Sequence, residues 1–268
     1  MNYNLKILFT TLLIVFFSSK VFGTAQGSDN LIYNGDTMFF LCEPLEKCFE
    51  DSIIYRDKLF KGQTKVLYTT ACYRGYVAEW KIENSTLYLT AIYNCTYYEN
   101  KIEADLKKIF GEKCVNGRVK ADWVNGNLIA AYGKMLYYIH DDYQSIREFE
   151  IEFEIKNGKI LSTKKYDNRK TKQSIYSQND KKLMEFLKAN IQLEHLPKDK
   201  MPVKVFVKFY SKENGEIKCE IIKGKSEYEE FNKEALRLIK SLPEWDIIYR
   251  RGKFVKKEYI IPVTFINK

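Results

Sequence analysis

The sequence predicts an α+β protein in two parts: an N-terminal antiparallel β-rich barrel or sandwich, then a smaller unit in which three antiparallel strands pack against helices. Three observations carry this. Period-two alternation broken by Asn-centred turns recurs from about Asp29 to Tyr166. Residues 201–268 run strand, turn, strand, helix, proline stop, long strand. Between the two parts, Lys164 to Asp180 is polar and lacks apolar periodicity, so residues 167–180 are assigned to a linker.

The first 23 residues have the order of a secretory signal. Lys6 precedes the apolar run Ile7 to Phe17, and Ser18 to Gly23 supply the small-residue cleavage region. An uncleaved inner-membrane anchor is the competing reading. The run is shorter than the roughly 20 apolar residues a spanning helix needs. The chain is therefore expected in the periplasm or outside the cell. Its formal charge of +9 comes from lysines interspersed with acids, the pattern of a solvated surface. No nucleic-acid partner is expected, and membrane contact only through a partner.

In the N-terminal part, Tyr76, Ala78, Trp80 and Ile82 alternate with Val77, Glu79, Lys81 and Glu83, and Asn84-Ser85 turns the chain into Leu87–Ile92. A short helix is expected over Lys101 to Phe110. A second hairpin is expected from Ala121–Val124 through Asn125-Gly126 to Leu128–Ala131, with Met135 to Ile139 continuing the pattern. In the third, Phe149, Ile151, Phe153 and Ile155 alternate with Glu148, Glu150, Glu152 and Glu154, before Asn157-Gly158 reverses the chain. Four glutamates on one face predict that this face is wet.

In the C-terminal part, a helix over Lys181 to Ile191 carries Leu183, Phe186, Leu187 and Ile191 on one face. The first strand, Val203 to Phe209, has Val203, Val205, Val207 and Phe209 on one side. Asn214-Gly215 turns it into Ile217–Ile222. Ser226 and Glu229 have capping-box spacing. Tyr228, Phe231, Ala235, Leu238, Ile239 and Leu242 then form one helical stripe, which Pro243 ends. Trp245 and Phe254 to Ile266 give the last strand.

Residues 181–268 resemble the C-terminal domain of the TonB energy-transducer family. The resemblance rests on Asn232-Lys-Glu-Ala-Leu-Arg-Leu-Ile-Lys-Ser-Leu-Pro-Glu-Trp245, then Arg251-Gly252-Lys253, then Tyr259-Ile-Ile-Pro-Val-Thr-Phe265. It implies capture of a short extended segment of an outer-membrane transporter, added to the sheet. The chain departs from the family in having only five prolines, too few for a long periplasm-crossing segment, and a leader that reads as cleaved. A passive binding module is therefore expected rather than an energy transducer.

Topology points to the same surface. A hairpin followed by a helical crossover predicts the strand order second, first, last, which leaves the last strand at the edge. Pro262 agrees, because proline lacks the amide a central strand must donate. An exposed edge suits recognition by strand addition, with Val255, Lys257, Tyr259 and Ile261 as the selecting side chains. The competing arrangements are an edge covered by the linker or the preceding helix, and a homodimer through the same edge.

Chemistry has a weaker signature. The six cysteines, Cys42, Cys48, Cys72, Cys95, Cys114 and Cys219, permit disulfides after export, and Cys42 with Cys48 is the candidate pair. Cys219 is expected to be a buried free thiol. Cys72, His140 and Asp141 or Asp142 are the only nucleophile set on paper, and Cys72 suits a disulfide or core role better. No phosphate loop, HExxH or GxSxG occurs, and CxxC spacing is absent, so neither a catalytic site, a metal nor a cofactor is expected. The functional expectation is an exported binding protein acting through a C-terminal edge strand. The alternative is a small-molecule or glycan-binding barrel with the C-terminal unit as an annex.

Overall fold

Two-residue turns with both residues at positive φ set the hairpins of the N-terminal part. They are Asn34-Gly35, Asn84-Ser85, Asn116-Gly117 and Asn157-Gly158, and such turns match the right-handed twist of paired strands. The computed structural model describes residues 24–51, 58–60, 69–222 and 228–266. The expected leader and the expected cap Ser226 lie outside the described residues.

The described elements run β1 (Asp29–Tyr33), β2 (Asp36–Phe40), α1 (Glu46–Glu50), β3 (Val77–Glu83), β4 (Thr86–Tyr93) and α2 (Leu106–Phe110). Next come β5 (Cys114–Val115), β6 (Arg118–Lys120), β7 (Gly126–Tyr137), β8 (Ile146–Lys156) and β9 (Lys159–Asp167). These nine strands form one sheet. All pairings are antiparallel except β1 with β3. The sheet curls until β9 meets β4 at a single pair, Thr86 opposite Lys159. Its interior is filled by Leu31, Phe40, Trp80, Leu87, Leu89 and Phe153, all buried. The structure is thus an incompletely closed barrel with a solid core.

The remaining elements are α3 (Ile175–Gln178), α4 (Asp180–Asn190), β10 (Val203–Ser211), β11 (Ile217–Ile221), α5 (Glu229–Lys240), β12 (Ile248–Arg250), β13 (Lys253–Val255) and β14 (Tyr259–Phe265). The three-stranded sheet has the order β11-β10-β14, the order expected from the sequence. Val203, Val205, Val207 and Phe209 face α4 and α5, meeting Leu183, Leu187, Phe231, Ala235 and Leu238 in a second core. The architecture is α+β, as the sequence predicts.

Several expectations are corrected. Ala121–Val124 is not a strand, and Asn125-Gly126 does not turn a hairpin. Instead Ala121 N–H donates to Leu87 O at 3.0 Å, and Gly158 N–H to Val124 O at 3.0 Å, so the segment bridges two turns. A Cβ on Gly158 would lie 2.5 Å from Ala121 O, so this close approach requires glycine. The helix before it is confined to Leu106–Phe110, capped by Asp105 accepting from Lys108 N–H at 3.0 Å. At Asn214-Gly215 only Gly215 has positive φ, because a longer loop is closed by Lys212 N–H to Glu216 O. The expected last strand breaks after Val255, giving the small β12–β13 hairpin and a separate β14.

The expected linker also differs. β9 extends through Lys164 to Asp167, and Asn168, Thr171 and Ser174 are buried. Lys172 and Ile247 exchange backbone hydrogen bonds at 2.8 and 2.9 Å. Polar composition here serves backbone and side-chain bonding to the loop after α5, not solvation. Nor is the whole glutamate face wet. Glu154 is exposed, but Glu150 is 2% exposed, near Arg251 at 3.9 Å.

Candidate functional site

Hydrogen-bond parity defines what the β14 edge offers. Ile222 N–H donates to Phe206 O at 3.1 Å, so the backbone of Phe206 faces β11. Backbone groups alternate along a strand, so Val203, Val205, Val207 and Phe209 face β14. Their partners are Phe265, Val263, Ile261 and Tyr259. The backbone groups of Ile260, Pro262 and Thr264 therefore point outward. Pro262 sits where its missing amide breaks no pairing inside the sheet. The outer rim presents two donors, Ile260 and Thr264, and three carbonyl acceptors. No strand covers it among the described residues.

Beside this rim, between α4 and β14, runs an apolar groove of about 380 Å³. Met184, Leu187, Lys188 and Ile191 supply the α4 wall at i, i+3, i+4, i+7 spacing, and Leu238 the floor. Pro262, Val263, Thr264 and Ile266 form the other side. Lys188 is its one charged lining residue among the described residues, while Met184 and Ile266 are 46% and 58% exposed. A strand paired outside β14 would direct alternate side chains into this groove, those opposite Ile261 and Val263, and the intervening ones onto the open face.

The four residues expected to select a ligand are placed differently from one another. Ile261 lies in the edge strand, half-buried against the helical core. Tyr259 begins β14, but its hydroxyl donates to Asp246 Oδ2 at 2.7 Å. Lys257 precedes the strand and donates to Tyr137 OH at 3.0 Å. Val255 belongs to β13, opposite Ile248. Only Ile261 thus lies within β14 clear of the junction, with its backbone turned to β10 and its side chain towards the helices. Leu187 and Ile191 belong to the apolar face expected from the sequence, whereas Met184 and Lys188 do not; the i, i+3, i+4, i+7 set starting at Met184 is the signal for the second, overlapping face.

Tyr259 and Lys257 instead belong to a junction between the two parts. Asp246, buried, accepts from Tyr137 OH at 2.9 Å, Tyr259 OH, Ser174 N–H at 2.8 Å and Ser177 Oγ. Burial raises the Tyr137 and Tyr259 hydroxyl pKa values, and burial lowers that of Lys257 against the pull of Asp246. Thr171 Oγ1 and Tyr249 add two further bonds, and Gly252 N–H donates to Asn168 Oδ1 at 3.0 Å. The start of the edge strand is anchored to the barrel.

The cysteines correct the sequence reading. Cys72 is bonded to Cys95, whereas Cys42 and Cys48 are free. Cys48 lies within short α1, buried. The Cys42 sulfur lies instead 3.5 Å from Ile129 O, and burial pushes the Cys48 thiol up to about 12. Cys219 is free and half-buried. The disulfide leaves no thiol at Cys72, which removes the Cys72–His140–Asp141/Asp142 set. His140 Nδ1 pairs with Tyr138 OH at 2.9 Å.

At the end of the barrel, Arg74 is buried against Asp29 at 2.9 Å, and Trp80 Nε1 donates to the same carboxylate at 2.8 Å. Glu43 approaches Arg74 at 3.4 Å and accepts from Tyr143 OH at 2.8 Å. Arg74 is set between two carboxylates, and the buried Asp29 accepts from Arg74, Ala78 N–H and Trp80, the hydrogen bonding a buried charge requires. Among the described residues no helix is long and apolar enough to cross a membrane. No protein-family model, curated protein or solved structure matches the chain.

Proposed function

We propose that this is an exported protein whose C-terminal unit binds an extended segment of a cell-envelope protein as a fourth strand outside β14. The observation that carries the reading is the pairing of an uncovered rim, with Ile260, Pro262 and Thr264 facing outward, with an apolar groove alongside it. Backbone bonds give affinity without sequence, and the groove selects an apolar residue at every second position. The resemblance of residues 181–268 to the TonB C-terminal domain supports the same mode, with an outer-membrane transporter as one such partner. The helix before the sheet stands far enough from β14 to leave the groove open. No observation favours the hollow ligand-binding barrel, whose interior is occupied by Trp80, Phe40 and Phe153.

Selection of displayed extended peptides on the immobilised chain tests this. Enriched sequences should carry apolar residues in alternation. Thr264→Pro removes an outward amide while sparing the inward pairs, so it should weaken the selected peptides by at least about tenfold, the scale of one to two lost hydrogen bonds. Met184→Glu should do the same through the groove. Peptides that bind both variants as tightly as the parent would reject edge pairing.

A further inference from the structure

A second cleft, of about 350 Å³, lies on the outer face of the barrel across β1, β2 and β7, and strand addition at β14 makes no use of it. Leu41 and Ala131 are part of its floor; Phe39, Met135 and Tyr138, 40%, 43% and 55% exposed, stand along it. The Cys72–Cys95 disulfide closes one side and fixes that wall. The register of β7 against β8 breaks on both sides of Met135, a device that re-aims side chains at the edge of a site.

Among the described residues Arg147 is the only basic one lining the cleft. Its guanidinium carbon lies 3.5 Å over the Phe39 ring, and Nη1 donates to Gly133 O at 2.9 Å. Among the described residues no carboxylate reaches it, whereas Arg74, Arg118, Arg169, Arg237 and Arg251 each have one within 4.0 Å. Burial lowers the Arg147 pKa, with no neighbouring charge opposing the effect. A half-buried guanidinium without an anion carries a desolvation cost that a bound anion would offset, and its planar fork suits a carboxylate. Asp142, the acidic residue of the cleft, is influenced by Glu43 and Arg74 rather than by Arg147, so the two ends differ in sign.

We infer that this cleft binds a single-chain fatty acid, its carboxylate on Arg147 and its alkyl chain along Phe39, Met135 and Tyr138. One guanidinium matches one unit charge, and the volume lies at the small end of ligand sites, which suits one chain rather than a two-chain phospholipid. The assignment is independent of the β14 reading.

Calorimetric titration of the full chain with dodecanoate, dodecanol and anionic phospholipid vesicles tests it. Dodecanoate should bind at least tenfold more tightly than dodecanol. Arg147→Gln, which keeps a donor for Gly133 O, should remove that preference, and Met135→Glu should abolish binding of both. Met184→Glu, in the β14 groove, should change neither. Equal affinity for acid and alcohol, a preference that survives Arg147→Gln, binding to vesicles alone, or loss of binding in Met184→Glu would each overturn the assignment.

Discussion

Two of the strands that leave an edge unpaired, β9 and β14, are dressed in opposite ways. Beyond the corner at Lys159, β9 runs from Leu161 to Tyr166 with β8 on one side and no strand on the other among the described residues. Its exposed positions include Ser162, Thr163, Lys164 and Lys165. Lysines on an edge discourage pairing with a second chain. The rim of β14 carries Ile260, Pro262 and Thr264, with an apolar groove at its flank. The barrel nearly closes on itself and guards the gap that remains. The C-terminal sheet has only three strands, and among the described residues no strand pairs outside β14. Position at a sheet edge is therefore not enough to define a docking strand; what lies beside the edge decides.

The strongest way to break this comparison is to unfold one partner. Trp80 is fully buried in the barrel, edge-on to Phe40 at 6.3 Å, and bonded to Asp29. Trp80→Ala should cost about 4 kcal/mol, the usual scale for a buried aromatic truncated to alanine. Hydrogen exchange should then accelerate at β8 and β9, while the inward amides of Ile261 and Val263 keep their protection. Equal acceleration at both would make the two edges parts of one cooperative unit.

Only part of what distinguishes the two edges was legible in local sequence. The β8–β9 hairpin follows from Asn157-Gly158 and strict alternation, and the place of β14 follows from Pro262 and one crossover. Legibility ended where a residue's role depends on a distant segment. Ala121–Val124 has a strand pattern, but Leu87 and Gly158 claim its backbone. Cys42 lies near Cys48 in sequence, yet Cys72 meets Cys95 because both flank the hairpin that brings Val77 opposite Tyr93. The polar stretch after β9 looked like a linker because its partners, Asp246, Ile247 and Tyr249, lie some seventy residues later. For the candidate site, the strand was legible and the groove was not, since α4 contributes from outside the sheet.

A smaller effect is expected from the junction. Asp246→Ala leaves the Tyr137 and Tyr259 hydroxyls and the Ser174 amide without their acceptor, at a cost of about 3 kcal/mol. Because Tyr259 is the first residue of β14, the loss should fall on that strand: exchange at Tyr259 and Ile261 rises, while β9 is unaffected. Urea unfolding should broaden or separate into two steps. A single sharp transition with uniform loss would show that the junction does not set the independence of the two sheets.

The smallest expected effect sharpens the comparison through pH. Glu150 on β8 lies opposite Tyr166 of β9, buried close to Arg251 of the C-terminal part. Burial raises its pKa, with Arg250 and Arg251 opposing. A carboxyl with a raised folded pKa binds its proton more tightly when folded. Its contribution to stability is complete below the unfolded value of about 4.3 and is lost as pH rises through the folded value. Glu150→Gln removes that dependence. The parent should therefore lose stability relative to the variant as pH rises above about 4.3, measured by urea midpoints at matched ionic strength. An opposite slope would mean that the two arginines outweigh burial, making the contact between β8 and the C-terminal hairpin an ion pair rather than a neutral packing contact.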